Sequence, residues 1–147
     1  MTTMRALRLH GDRDLRLEDV PAPPPPGPGE VTLRIKAVAL NHIDVWGFRG
    51  MAFAKREMPL IVGAEAVGEV VAIGPSVTDW KIGDRAAPYG ALTCGTCRRC
   101  LKGEDNLCEN VRGVKGFHVG GFACELVNQE ARLLVRVPDG ISWDDAA

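Results

Sequence analysis

The sequence predicts a mainly β domain, a partly open β-barrel with short helices and a separate metal-stapled lobe. Three observations carry that reading. Runs of period-2 alternation are cut repeatedly by Gly and Pro, one short segment carries a helical signal, and four cysteines crowd one 15-residue stretch. At 147 residues, with 46% apolar and 25% charged content, the chain is long enough to bury one real core. The expected unit is therefore a single domain over residues 1–147. A formal net charge of −1 offers no basic field for nucleic acid, so that class of partner is excluded. No window approaches the roughly 20 apolar residues of a membrane span. The most apolar stretch, Met58 to Gly74, is interrupted by Glu65 and Glu69.

The elements follow in order. Arg5 to His10 alternates, and Gly11-Asp12 turns the chain into Leu15 to Glu18. Pro21 to Gly29 is a stiff proline-rich spacer that lacks ladder donors. Val31 to Ala37 is the cleanest alternating strand, and Asn41 to Phe48 reads as a short helix or helical turn. A Val/Ala/Ile strand is expected over Ala66 to Ile73, and the Lys81 to Arg85 turn feeds another. Beyond the lobe, at about Gly90 to Lys115, strands are predicted over Phe122 to Asn128 and Leu133 to Val137. Cys124 falls on the first of these as a small buried hydrophobe. Trp46 is expected to pack in the core, with a place in the wall of the cleft as the alternative. His10 and His118 read as loop residues without partners.

Cys94, Cys97, Cys100 and Cys108 have the spacing C-x2-C-x2-C-x7-C. Four thiolates that close can satisfy a tetrahedral Zn²⁺ with no position left for water or substrate, so the ion braces structure and does no chemistry. Disulfides are the first alternative. Met1-Thr2-Thr3-Met4-Arg5 shows no apolar run of a secretion signal, so a cytoplasmic, reducing location is expected and metal is favoured. An iron–sulfur cluster is the second. The bacterial run closes with Cys-Pro after three residues, whereas here seven intervene and Glu109 follows. Arg98, Arg99, Lys102, Arg112 and Lys115 surround the cysteines and offset the anionic zinc–thiolate charge. Glu104, Asp105 and Glu109 are interleaved with them.

The string from Gly63 to Gly68 lacks the GxGxxG order and precedes a strand, so barrel-corner glycines explain it better than a phosphate loop. Ser142-Trp143-Asp144-Asp145 reads as a helix N-cap followed by an acidic first turn. One turn of helix is not stable alone, so more chain is expected beyond Ala147.

These marks together resemble the N-terminal GroES-like domain of the medium-chain dehydrogenase/reductase superfamily, which includes zinc alcohol dehydrogenases and quinone oxidoreductases. The resemblance runs from about Met4 to Ala147. It rests on Gly63-x-Glu65-x-x-Gly68, Gly83-Asp84-Arg85, the four-cysteine lobe and Gly120-Gly121-Phe122-Ala123. It implies one structural zinc per chain on Cys94, Cys97, Cys100 and Cys108, and a downstream Rossmann domain that binds NAD(P)H. It also implies a homodimer or homotetramer. The catalytic-zinc positions of the alcohol dehydrogenases carry Asn41 in place of Cys and Ala64 in place of His, neither a good Zn²⁺ ligand. Asn41-His42-Ile43-Asp44 resembles instead the Asn-Pro-x-Asp run of zinc-independent quinone oxidoreductases.

The implied function is NAD(P)H-dependent reduction of a small-molecule carbonyl or quinone, including α,β-unsaturated carbonyls, without a catalytic zinc. Asn41 is then the candidate catalytic residue, donating to the substrate oxygen, or else the N-cap of the turn that follows. Asp44 and Glu65 are expected to pair with Arg49 or Arg85. One alternative is a zinc-dependent alcohol dehydrogenase with a rearranged catalytic site. The other is a stand-alone zinc-stapled protein-binding module. Residues 1–147 alone are expected to bind no nicotinamide tightly and to show no turnover.

Overall fold

The computed structural model describes residues 2–51 and 56–147. Its order is β1 (Thr3–Gly11), β2 (Asp14–Pro21), β3 (Glu30–Ala39), α1 (His42–Phe48), β4 (Leu60–Ile61) and β5 (Glu65–Ile73). Then follow β6 (Arg85–Pro88), β7 (Leu126–Glu130), β8 (Leu134–Arg136) and α2 (Trp143–Ala146), with 3-10 turns at Cys100–Lys102, Asp105–Leu107 and Ala131–Leu133. Two antiparallel sheets result, ordered β2-β1-β4 and β7-β3-β5-β6-β8. The β3–β5 register shifts twice, between Thr32 and Leu33 and between Ile35 and Ala37. Such irregularities bend and twist a strand pair.

The predicted strand over Phe122 to Asn128 is a correction. Only its second half pairs regularly, as β7, while Phe122 to Glu125 crosses between the sheets. Leu7 N–H donates to Ala123 O (2.8 Å), Glu125 N–H to Arg5 O (3.1 Å) and Ile35 N–H to Glu125 O (3.1 Å). That segment therefore spends its backbone groups on β1 and β3 together, partly closing the barrel. Cys124 sits on this crossing, half-buried between the two apolar clusters, and not on a strand. Burial pushes its thiol up to about 11, the state of an inert packing group.

The main core joins Val31 and Leu33 of β3, Ala66 and Val70 of β5, Trp80, Ala86, Phe122 and Val127. Val31, Leu33, Val70 and Phe122 are fully enclosed. Each such side chain contributes about 1.5–3 kcal/mol. Met4, Ala6 and Val20 form a smaller cluster under β1 and β2. Between these clusters and the lobe, three backbones meet without side chains. A Cβ on Gly116 would lie 2.5 Å from Gly63 C, and one on Gly121 would lie 2.4 Å from Gly63 O. Gly63 itself has φ +93°. Only glycine permits this approach, which fixes the chain entering Ala64 against the 116–123 segment.

The chain end follows expectation. Ser142 Oγ accepts from Asp145 N–H (3.1 Å), as an N-cap should. Trp143 lies under Arg85, whose guanidinium carbon is 4.1 Å from the ring centroid. Arg85 also donates to Pro138 O (3.2 Å) and to Ile141 O, so it clasps the chain end and pairs with neither Glu65 nor Asp44.

Candidate functional site

The lobe is made of tight turns, because its ligand atoms have to converge from one short loop. Cys97 N–H donates to Cys94 Sγ (3.3 Å) and Cys100 N–H to Cys97 Sγ (3.5 Å). Cys94 N–H and Asn110 N–H both donate to Cys108 Sγ, at 3.2 and 3.4 Å. Left-handed Gly95 (φ +72°) and Gly103 (φ +75°) allow the reversals between them. All four sulfurs lie within 4.8 Å of one another. Cys94 Sγ is 3.6 Å from Cys108 Sγ and 4.0 Å from Cys100 Sγ.

A disulfide needs about 2.05 Å, which these separations exclude. A tetrahedron with Zn–S near 2.3 Å has edges of about 3.8 Å, between the 3.6 and 4.0 Å of the Cys94–Cys108 and Cys94–Cys100 pairs. The donor set thus fits Zn²⁺ closed by sulfur alone. Main-chain donors already favour thiolate here. Thr96 N–H and then Cys97 N–H bring Cys94 down to about 5, and Cys100 N–H followed by that of Glu109 lowers Cys97. Burial pushes Cys100 up to about 12, so that sulfur keeps its proton until a cation replaces it. Of the surrounding bases, Arg99 pairs with Glu104 (2.7 Å) and Arg112 with Glu130 on β7.

A second hollow, of about 300 Å³, lies between the start of α1 and β5. Asn41, Ile43, Ala64, Glu65, Tyr89 and Val114 are among its walls. Asn41 occupies the N-cap of α1, and its N–H donates to Asp44 Oδ2 (3.1 Å). Asp44 Oδ1 accepts from Ala64 N–H (3.1 Å). One carboxylate therefore ties the helix start to the strand entry, holding positions 41 and 64 on the same cleft. This corrects the expected pairing of Asp44 with an arginine. It is also a role that sequence reading missed, for which the Asn-x-x-Asp capping spacing was the available signal.

Other expectations also change. Trp46 is exposed, not core, and its ring centroid lies 6.2 Å from that of exposed His42. His10 lies on β1 with Nε2 2.9 Å from Glu18 Oε1, and His118 Nδ1 accepts from Val114 N–H (3.1 Å). Neither is without a partner. Among the described residues, the four cysteines are the only group of three or more His, Cys, Asp or Glu donors placed to hold a metal. No helix of the described residues is long and apolar enough to cross a membrane.

Comparison with known proteins agrees with this architecture. The family model of the alcohol dehydrogenase GroES-like domain matches residues 27–139. An alcohol dehydrogenase of Geobacillus stearothermophilus is 39% identical over 136 residues, which make up 92% of this chain and 40% of that protein. An L-threonine 3-dehydrogenase of Escherichia coli is 37% identical over 147 residues, 98% of this chain and 42% of its own length. A solved NAD-dependent alcohol dehydrogenase superposes with a TM-score of 0.86 at 40% identity, covering 95% of this chain and 41% of that one. The chain thus spans about two fifths of the length of the curated relatives it matches. These relatives are named for alcohols and threonine, so they lend no support to the quinone expectation, and none to a stand-alone binding module. A family match over most of the chain decides its place: it belongs to the alcohol dehydrogenase GroES-like family, the N-terminal domain type of the medium-chain dehydrogenase/reductases.

Proposed function

We propose that the chain is the substrate-binding domain of an NAD(P)-dependent dehydrogenase that interconverts a small alcohol and its carbonyl product. Cys94, Cys97, Cys100 and Cys108 hold a structural zinc. The observation that carries this reading is the cleft at Asn41 and Ala64, in a chain whose relatives are named as alcohol and threonine dehydrogenases. A nicotinamide, whose binding this reading assigns to residues outside 1–147, would supply the hydride chemistry, and the hydroxyl proton would pass to or from water.

The work of this domain is to place and polarise the carbonyl. Ile43, Ala64 and Val114 give the open cleft apolar walls beside Asn41 and Glu65, and a bound substrate that displaces water there would strengthen any dipole aimed at it. The Asn41 carboxamide donates to the substrate oxygen where negative charge develops. Asp44, by holding the Asn41 and Ala64 main chains at 3.1 Å each, keeps that donor in register with β5. A catalytic zinc in a rearranged site would need three donors, which the described residues do not bring together outside the cysteine lobe.

That same donor set favours a second reading. A carboxamide is a weaker electrophile than a metal, and conjugated acceptors such as enones or quinones spread the incoming charge and need less help. Three measurements test the site, the last of which separates the two readings. Zinc analysis of the full-length protein is expected to give one ion per chain, and two would establish a rearranged catalytic zinc. Asn41→Asp keeps the N-cap but removes the amide donor. It is expected to lower kcat by about 10²–10³-fold at unchanged zinc content. Unchanged kcat would remove Asn41 from the mechanism, and a panel of alcohols against enones then fixes the substrate class.

A further inference from the structure

The cysteine lobe leaves the barrel at Thr93 and returns at Arg112, and both ends converge on a single carboxylate. Glu130, the last residue of β7, places Oε1 against Arg112 Nη2 and Oε2 2.8 Å from Arg132 Nε. Arg132 reaches on from there. Its Nη1 donates to Thr93 Oγ1 (3.2 Å) and its Nη2 to Thr93 O. Thr93, fully buried, passes the link to the far side of the lobe by donating from Oγ1 to Asp105 Oδ1 (3.0 Å). The guanidinium packs on Gly95, where a Cβ would sit 3.0 Å from its carbon. Thr93 and Gly95 flank Cys94, and Asp105 and Arg112 bracket Cys108 in sequence.

From this geometry we infer that Glu130 and Arg132 are positioning residues of the metal centre. They hold the two ends of the lobe at the separation that lets Cys94 and Cys108 share one ion. Neither residue is a ligand. Arg132 suits the task because one planar fork can donate at once to a carboxylate, a hydroxyl and a carbonyl, which the point charge of a lysine cannot do. Glu130 suits it because each carboxylate oxygen takes a different arginine. At the base of the lobe Leu92 N–H donates to Gly113 O and Arg112 N–H to Leu92 O (2.9 Å each), and beyond that pairing the polar clamp and the metal hold the two ends. Outer-shell partners of this kind set how firmly a ligand set retains its ion.

This inference rests on the reading that the four cysteines bind zinc, and the experiment separates the two. Zinc-loaded full-length protein is mixed with a chromogenic chelator, and the release rate is followed for the parent, Glu130→Gln, Arg132→Lys and Arg132→Ala. Melting of the barrel is followed in parallel by tryptophan fluorescence. Each variant is expected to release zinc about tenfold faster, with Arg132→Lys resembling Arg132→Ala, while the barrel melts as in the parent. Added salt is expected to hasten release from the parent but not from Glu130→Gln, because the clamp is a partly exposed ion pair. Release within about twofold of the parent, below the range that outer-shell partners give, would overturn the inference. So would faster release accompanied by an equal loss of barrel stability. A parent that carries no zinc would overturn the metal reading beneath it.

Discussion

The barrel and the cysteine lobe solve the same problem with opposite means. In the barrel, Val31, Leu33, Val70 and Phe122 are fully enclosed and backbone groups pair along ladders. In the lobe, Leu101, Leu107 and Val111 stay 74%, 51% and 49% exposed, and its regular structure amounts to single 3-10 turns and one antiparallel bridge, Ala91 with Val114, at its base. A loop of this kind cannot offset its ordering entropy by burying apolar area. It does so with sulfur, a cation and the arginine clamp at its base. The two regions should therefore fail separately, each to its own perturbation.

Metal removal tests that separation most severely. Binding of structural zinc by cysteine sets is worth about 10–16 kcal/mol at neutral pH, far more than any side chain in the lobe contributes. Chelation, or Cys108→Ser, is expected to open the lobe to proteolysis between about Gly90 and Lys115 while β1–β8 keep their amide-exchange protection. Collapse of protection throughout the barrel would show that the two regions are one cooperative unit.

The converse perturbation is smaller. Phe122 is fully enclosed where the crossing segment joins both sheets, and Phe122→Ala is expected to cost about 3–5 kcal/mol of barrel stability. The folded fraction should still bind one zinc per chain. Chemical denaturation read beside zinc content measures both. Stoichiometric loss of zinc from the folded variant would mean that the lobe depends on the barrel core as much as on its clamp.

The same division explains what was legible in the sequence. Alternation marked β1, β2 and β3 and Val/Ala/Ile composition marked β5, although burial alternates only in part. Three successive residues are buried in β3 (Val31, Thr32, Leu33) and in β5 (Ala66, Val67, Gly68), and in β2 only Val20 is. The cysteine spacing marked the lobe, because liganding from one loop fixes the intervals. Periodicity failed from Phe122 to Glu125, where the chain bonds to β1 on one side and β3 on the other. Such a crossing has no single face to alternate. The two residues of β4 are too few to show a pattern. Long-range polar pairs were invisible for another reason. Asp44 with Ala64 N–H, and Glu130 with Arg112, join positions 20 and 18 residues apart. Only the fold brings them together. Positions 41 and 64, singled out through the family resemblance, line one hollow.

The smallest expected effect lies at the rim of the barrel, where polar contacts act without a metal. Asp84 takes a hydrogen bond from Arg136 on β8 (2.9 Å) and one from Lys81 N–H (2.8 Å). The Arg136 guanidinium, and next the Lys81 N–H, hold its carboxyl below its ordinary 3.8. A carboxyl lowered on folding stabilises the fold fully above that ordinary value, and the contribution fades as pH falls through the lower folded one. Asp84→Asn should therefore melt slightly below the parent at pH 7, by an amount within the ~0–1 kcal/mol of exposed pairs. The gap should close as the pH is taken well below 3.8, because the parent's own carboxyl is by then protonated. Melts of metal-free protein isolate this barrel response from acid loss of zinc at the lobe. A gap that persists unchanged into strong acid would show that Asp84 acts by shape at the Lys81–Asp84 turn and not by charge.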